Sequence, residues 1–482
     1  MAMASHQQMT EFQIKNNSMK KQKTNILIII SDQLLIDSIS AYKDHFSHPA
    51  YLCHWANTPN FDRMVAQGYS FLQSNSTNPV CSPARSSLFT GRYSSETGIT
   101  YNNIGIDKNV PNMGEWFEMN ADYSRVYCGK WHAGGAWNYP DIEGTRKIPG
   151  FEAIPVGVAG TGDFNDFQVS GAIKGFIMNY KEDKPFLAVA GLMNPHDICY
   201  WTPQLHGNKL VPKTDLFNLD DSRPPLPPNF NFDFEDPFPN QEVKYTKEEW
   251  QNYLYDYCRM VEKVDADLGR MLDAVESRDD ETLVIFTSDH GEGAARHKRV
   301  QKWHPFEQSV KVPFIAYMPG KIKANVIDQK HIISGIDLMT TVCDYAGISA
   351  PENCKGCSLK RLMETGETSD LPEIAFAEFQ HTGRVVRKGD FKYVKIYEYS
   401  GMPDKPFVRL EDGLPEKFQP CNGSKRYKTT SHKLLFNLKD DPWELTDLAA
   451  DPAYSDKVRE LDTLLAEEWE KKIIPGTHFD RN

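Results

Sequence analysis

The sequence predicts an α/β fold: a large mixed, mostly parallel sheet sandwiched by helices, with a smaller C-terminal α+β subdomain on an antiparallel sheet. Three observations carry this. Short continuous apolar runs recur, and each of the first three ends in a polar cluster. Helical spacing appears in the intervals between them. After about residue 365 the texture changes to closely spaced short strands with little helix between them. The 482 residues are 40% hydrophobic and 25% charged, an ordinary globular composition that excludes a disordered or fibrous chain.

The first run, Asn25 to Ile30, is apolar without alternation, the pattern of a strand buried on both faces of a parallel sheet. It ends in Ser31-Asp32-Gln33. Phe186 to Leu192 repeats the design and ends in Asn194-Pro195-His196-Asp197. Leu283 to Phe286 ends in Ser288-Asp289-His290-Gly291-Glu292, and Val312 to Tyr317 is a fourth apolar segment. In open α/β sheets, ligands bind beyond the carboxyl ends of the strands. Tyr253, Tyr257, Met260, Val261, Val264, Leu268, Met271 and Leu272 keep a three-four spacing, so an amphipathic helix precedes the third run. Leu338 to Tyr345 fits another helix, stopped near Gly347. Arg223 to Asn240, rich in Pro, Phe and Asp, reads as a long surface loop. Ile374 to Phe379, Gly383 to Arg387, Phe391 to Tyr397 and Lys433 to Leu438 read as strands, and Val458 to Trp469 as a closing helix. The expected division is 1–22 as a disordered or appended N-terminus, 23–365 as the catalytic unit and 366–482 as the C-terminal subdomain.

Lys and Arg number 54 and Asp and Glu 66, a net charge of −12. That excludes a general nucleic-acid binder, which needs a basic face. It leaves room for a small basic pocket. No run approaches the roughly 18 apolar residues of a membrane helix. Ile26 to Ile30 is too short for a signal-peptide core, and no export signal is read in the chain. A periplasmic or secreted location is nonetheless the expectation. Nine scattered cysteines are an odd count, too sparse for a disulfide framework. Cys354 and Cys357 form one Cys-x-x-Cys pair without a second, which argues for two incidental thiols or a local disulfide rather than zinc.

The most informative stretch is Cys81-Ser82-Pro83-Ala84-Arg85, continuing to Thr90-Gly91-Arg92. Ser82 is expected as a helix N-cap, Pro83 at the first helical position and Gly91 at the end. Cys81 then sits at a helix N-terminus, where backbone N–H groups favour negative charge. Arg85 lies one turn on, toward the same side. A nucleophile beside a fixed cation suits attack on an anionic ester.

This stretch resembles the signature of type I, formylglycine-dependent sulfatases of the alkaline phosphatase superfamily, and among them bacterial carbohydrate sulfatases. The resemblance runs from Asn25 to the Asn437-Leu438, Asp441-Pro442 and Glu444-Leu445 region. It implies an alkaline phosphatase-like sheet and Cys81 oxidised by a maturation enzyme to formylglycine, whose hydrate is the nucleophile. It implies a divalent metal held by Asp32, Gln33, Asp289 and His290 with the modified Cys81. Gln33 and His290 depart from the family's commonest Asp and Asn, which leaves Ca²⁺ expected and Mn²⁺ or Mg²⁺ open. Gly129-Lys130-Trp131-His132 is similar to the family's Lys-x-His element. By that likeness Lys130 holds a sulfate oxygen and His132 takes the hydrate's proton. His196 is implied as general acid. Lys302 is implied as the second sulfate-binding lysine, preferred over His297, Lys298 and Arg299 by its spacing to Glu307 and Val312-Pro313.

Independently of the resemblance, a metal with Arg85, Lys130 and Lys302 would stabilise the charge that develops as a sulfate ester is attacked. Trp131, Trp137, Trp201 and Trp303 could stack on sugar rings, or simply pack. Tyr200, Trp201, Gln204 and His206 follow His196 and are where leaving-group recognition is expected. The expected function is hydrolysis of a sulfate ester on a sulfated polysaccharide or glycosaminoglycan-derived sugar. The alternatives are a phosphonate monoester or phosphodiester hydrolase, a non-catalytic sulfated-glycan binding protein, and a choline-sulfatase-like enzyme.

Overall fold

The computed structural model describes residues 24–99, 101–102, 105–133, 148–156, 161–201, 222–237, 243–367, 371–379, 383–396, 399–400, 428–429 and 431–470. The expected N-terminal segment 1–22 and Trp137, Gln204 and His206 lie outside them. The main sheet has eight strands: β1 (Asn25–Asp32), β2 (Tyr69–Phe71), β3 (Ser124–Gly129), β4 (Glu152–Ile154), β5 (Phe186–Pro195), β6 (Thr282–Ser288), β7 (Phe314–Tyr317) and β8 (Val326–Asp328). Their spatial order is β4-β3-β5-β1-β6-β7-β2-β8. The pairings from β4 through β6 are parallel. β7 runs against both its neighbours, which makes the sheet mixed.

The continuous apolar runs are the central strands because both faces of the sheet are covered. Leu27 and Ile29 of β1 pack on one side, in a core shared with Val169, Ile173, Leu254, Val261 and Phe286. Two long helices, Gly162–Asn179 and Lys247–Glu276, cover this side. The Lys247–Glu276 helix begins with Thr246 and Glu249 in a capping box. Ile26, Ile28 and Ile30 face the other side, with Leu88, Phe89, Leu338, Met339 and Val342. Those partners come from helices Cys81–Thr90 and Asp337–Ala346, and the latter is closed by Gly347 as the spacing predicts.

A second sheet is antiparallel, with β9 (Ile374–Phe379), β10 (Gly383–Lys388), β11 (Phe391–Ile396) and β12 (His432–Asn437) in sequential order. Helix Ser455–Leu464 follows, continuing as a wider turn over Leu465–Glu470. Leu461 and Leu465 seal one face of this sheet with Val386, Tyr393 and Leu435. Cys354 and Cys357 are free thiols, so the local disulfide does not form. Among the described residues no helix is long and apolar enough to cross a membrane.

Candidate active site

Strand register builds the site. Ser31 of β1 pairs with Ser288 of β6, so Asp32 and Asp289 stand side by side at adjacent strand ends. Asp32 also pairs with Pro195 at the end of β5, which sets His196 next to it. Gly129 of β3 pairs with Gly191 of β5, and Lys130 follows directly. Gly129 has φ +93°, and a Cβ there would lie 2.1 Å from the Gly191 carbonyl oxygen. Only glycine allows the turn that brings Lys130 in.

Cys81 is the first residue of its helix, with Val80 as the extended N-cap. Ser82 is therefore not the cap, and Pro83 is the third helical residue, not the first. No side chain of the N-cap closes this end; instead the Ser82 N–H donates to Asn102 Oδ1 at 3.0 Å. Arg85, one turn along, is fully buried. Its Nε donates to Asp289 Oδ2 at 2.8 Å, its Nη1 to the Lys130 carbonyl at 2.8 Å, and its Nη2 lies 3.5 Å from Asp32 Oδ2. Lys130 Nζ pairs with Asp32 Oδ2. Lys302 Nζ donates to Gln33 Oε1 at 2.6 Å and lies 4.0 Å from Asp32 Oδ1. The basic neighbours that compete with Lys302 in sequence point elsewhere. His297 stacks on Phe306 and bonds the Glu444 carbonyl, and Arg299 pairs with Asp236.

Asp32, Cys81, Asp289 and His290 each bring one ligand atom, all within 4.8 Å of one another and all buried. His290 Nε2 is 3.2 Å from Cys81 Sγ and 3.7 Å from both Asp32 Oδ1 and Asp289 Oδ1. Its Nδ1 sits 2.9 Å from the Gly291 carbonyl. An Nδ1–H donated there turns Nε2 toward Cys81 and the two carboxylates, the arrangement of a metal-ligating imidazole. Two carboxylates and one such nitrogen fit a divalent cation. Gln33, in a left-handed backbone (φ 73°), donates its N–H to Asp289 Oδ1 at 3.2 Å. The contact its amide oxygen makes toward the site is the one from Lys302.

The electrostatics follow from this crowding. Burial raises the Asp32 carboxyl, but Lys130, His196, Lys302 and His290 outweigh it and hold its pKa well below the usual range. Burial and Asp32 push the Cys81 thiol up; Lys130, Lys302 and His290 together reverse that, and the net direction is down. Burial, with Lys302 and Lys130, drives His196 well below an ordinary histidine. Burial and Lys130 do the same to His132. In both rings burial disfavours the charged form.

Glu292 is a site residue that sequence reasoning passes over. Its buried carboxylate accepts from Gln33 Nε2, from Tyr253 Oη at 2.6 Å and from the Ala294 N–H at 3.3 Å. It thereby fixes which end of the Gln33 amide faces Lys302. Its only signal in sequence is membership of the polar cluster after β6. Of the tryptophans for which the sequence leaves both stacking on a sugar and simple packing open, two are packing residues. Trp131 is buried against Phe89, Tyr127 and Phe151. Trp201 lies among Tyr245 and Tyr253, and its indole N–H donates to Asp256. Trp303 is half-buried beside Tyr101, with ring centroids 5.3 Å apart.

The sulfatase family model matches residues 24–348, and that of the N-sulphoglucosamine sulphohydrolase C-terminal region matches 295–471. The chain is 27% identical to a Delta 4,5-hexuronate-2-O-sulfatase of Bacteroides thetaiotaomicron, over 92% of this chain and 88% of that protein. A solved structure of a 2-O GAG sulfatase superposes with TM-score 0.71 at 22% identity, covering 92% of each chain. The phosphonate monoester hydrolase of Agrobacterium radiobacter superposes with TM-score 0.67 at 22% identity, covering 92% of this chain and 95% of that one.

Proposed function

Because the chain belongs to the sulfatase family, whose model spans residues 24–348, we propose that it removes sulfate from a sulfated carbohydrate, with Cys81 matured to formylglycine. The protein is a sulfuric ester hydrolase. The observation that carries the finer reading is the meeting of Cys81, Arg85, Lys130 and Lys302 around the Asp32–Asp289 pair. The Bacteroides relative named for hexuronate 2-O-sulfate supports a glycosaminoglycan-derived sugar as substrate.

Asp32, Asp289 and His290, with residue 81 and Gln33 beside them, would hold the cation, and Ca²⁺ suits this largely oxygen donor set. A bound cation would draw charge from the sulfate oxygens, and formylglycine would supply the hydroxyl that attacks sulfur. Arg85, Lys130 and Lys302 bind and orient the sulfate. Arg85 is anchored at three points before substrate arrives, so no reorganisation is needed as charge develops. His196 protonates the leaving alcohol. The negative ester, entering among Lys302 and Lys130, offsets the charges that depress this ring and raises its proton affinity. His132 accepts the proton released when sulfate departs.

Peptide mass analysis tests the central assignment. Active protein should carry an aldehyde at residue 81, and Cys81→Ala should keep the fold while losing turnover; full activity from an intact thiol at 81 would overturn the reading. The Asp32-Gln33 and Asp289-His290 pairs also resemble those of phosphonate monoester hydrolases. Side-by-side rates on sulfate and phosphonate esters decide between the two, and sulfate esters are expected to be faster.

A further inference from the structure

A second arrangement suited to an anion lies outside the residues assigned to the reaction. A cavity of about 80 Å³ opens where the segment after β1 meets β10, lined among others by Asp37, Arg296, Glu307, Lys311 and Arg387. None of the residues proposed for catalysis lines it. That volume accepts several water-sized groups, the scale of a single oxyanion.

The charges around it do not cancel. Arg296 takes Asp37. Glu307 and Glu444 share Lys392, and burial pushes the Glu444 carboxyl up to about 7. The cavity itself is lined by three cations (Arg296, Lys311 and Arg387) and two carboxylates (Asp37 and Glu307), while Asp390 and Glu444 act on Arg387 from beyond its lining. Arg387 is 7% exposed, and its Nη1 is buried with no hydrogen-bond partner among the described residues. A buried guanidinium nitrogen left unpaired is costly, and an anion would satisfy it with a charge-assisted bond. Lys311 Nζ lies 5.6 Å from the Phe46 ring centroid and makes no ion pair among the described residues.

The cavity continues into a groove of about 410 Å³ that shares Phe46, Tyr51 and Lys311 with it and adds His48, Lys439 and Trp443. Tyr51 and Trp443 stack there with centroids 4.4 Å apart, and the Arg296 guanidinium lies 5.0 Å from the Trp443 ring centroid; Trp443 is buried and backs Tyr51, the half-buried ring that faces the groove. The groove is too wide for a lone ion, and an aromatic wall beside cations suits a sugar ring bearing an anionic group. We propose that this cavity binds a sulfate group carried on a glycan chain, with the sulfate between Arg387 and Lys311 and the sugar along the Tyr51–Trp443 wall. The source of the sulfate rests on the carbohydrate reading above; the chemistry rests on the unbalanced cations.

Titration calorimetry on the full chain carrying Cys81→Ala tests this, with a defined sulfated oligosaccharide and inorganic sulfate as separate probes. The oligosaccharide should fill two sites per chain. It should fill one when Arg387→Met or Lys311→Met is added. Lys311 is half-buried, so its variant keeps the test alive if the Arg387 variant fails to fold. An equal number of sites in all three proteins would overturn the proposal. So would inorganic sulfate filling a second site that the oligosaccharide leaves empty. Sulfate release from glycans by the unmutated protein judges the catalytic reading separately: two sites without release would retire that reading and keep this one.

Discussion

Gln33 has two chemically opposite ends, and Glu292 decides which one meets Lys302. With Nε2 committed to Glu292, Oε1 is the end that accepts from Lys302. Glu292→Gln removes that constraint and lets the amide rotate. Supporting residues of this kind typically cost about 10–100-fold in activity or metal affinity when changed. We expect a loss in that range, with kcat falling more than KM rises and cation affinity by calorimetry falling in parallel; a change in thermal stability alone would mean Glu292 only packs. His196→Ala should slow esters of poorly acidic alcohols far more than activated aryl sulfates, because only the former need a proton on the leaving oxygen. Equal losses on both would remove His196 from that role. Asp32, Cys81, Arg85, Lys130, Asp289 and His290 are all readable from local motifs. Glu292 is not, because its contact with Gln33 spans 259 positions and nothing local distinguishes it from an ordinary loop carboxylate.

The helix Cys81–Thr90 is held at both ends by devices that differ in legibility. Gly91 ends it in the left-handed region at φ +67°, as its place after an apolar turn predicts. A Cβ there would also meet Cys354 Sγ at 2.7 Å. Gly91→Ala should therefore lower stability by about 1–2 kcal/mol from the backbone term alone, read as a drop in the denaturation midpoint. The other end is misread from sequence, because Ser82 has the composition of a cap while the chain already turns helical at Cys81. The N–H of Ser82 goes to Asn102, which no spacing rule connects to it. The same contrast governs strands. β1, β5 and β6 are legible because burial on both faces demands unbroken apolar runs. β4, near the described edge of the sheet, carries an exposed Glu152 and two half-buried residues, so it has no pattern to detect.

Across the whole molecule, the cluster joining Glu307, Lys392 and Glu444 ties the segment after Lys302 to the C-terminal sheet. Glu444 also accepts the Glu307 N–H at 2.7 Å. Burial raises its pKa from 4.5 to about 7, against the pull of Lys392. A carboxyl with a raised folded-state pKa binds its proton more tightly folded than unfolded. Its contribution to stability is thus fully present below about pH 4.5 and is lost as pH rises toward 7. The melting temperature should fall across that window for the unmutated protein and fall less for Glu444→Gln; identical slopes would show that another group sets the trend.

Residue 81 is 1% exposed, locked between the end of the sheet and its own helix. An enzyme that must grasp this thiol to oxidise it cannot do so once the chain has closed. Under the proposed formylglycine reading, the chemistry at position 81 is a matter of timing: conversion has to precede collapse of the core. On that reading, a molecule that folds first with its sulfur intact is a well-formed dead end, and the active fraction of a preparation records a race between two events rather than the quality of the fold.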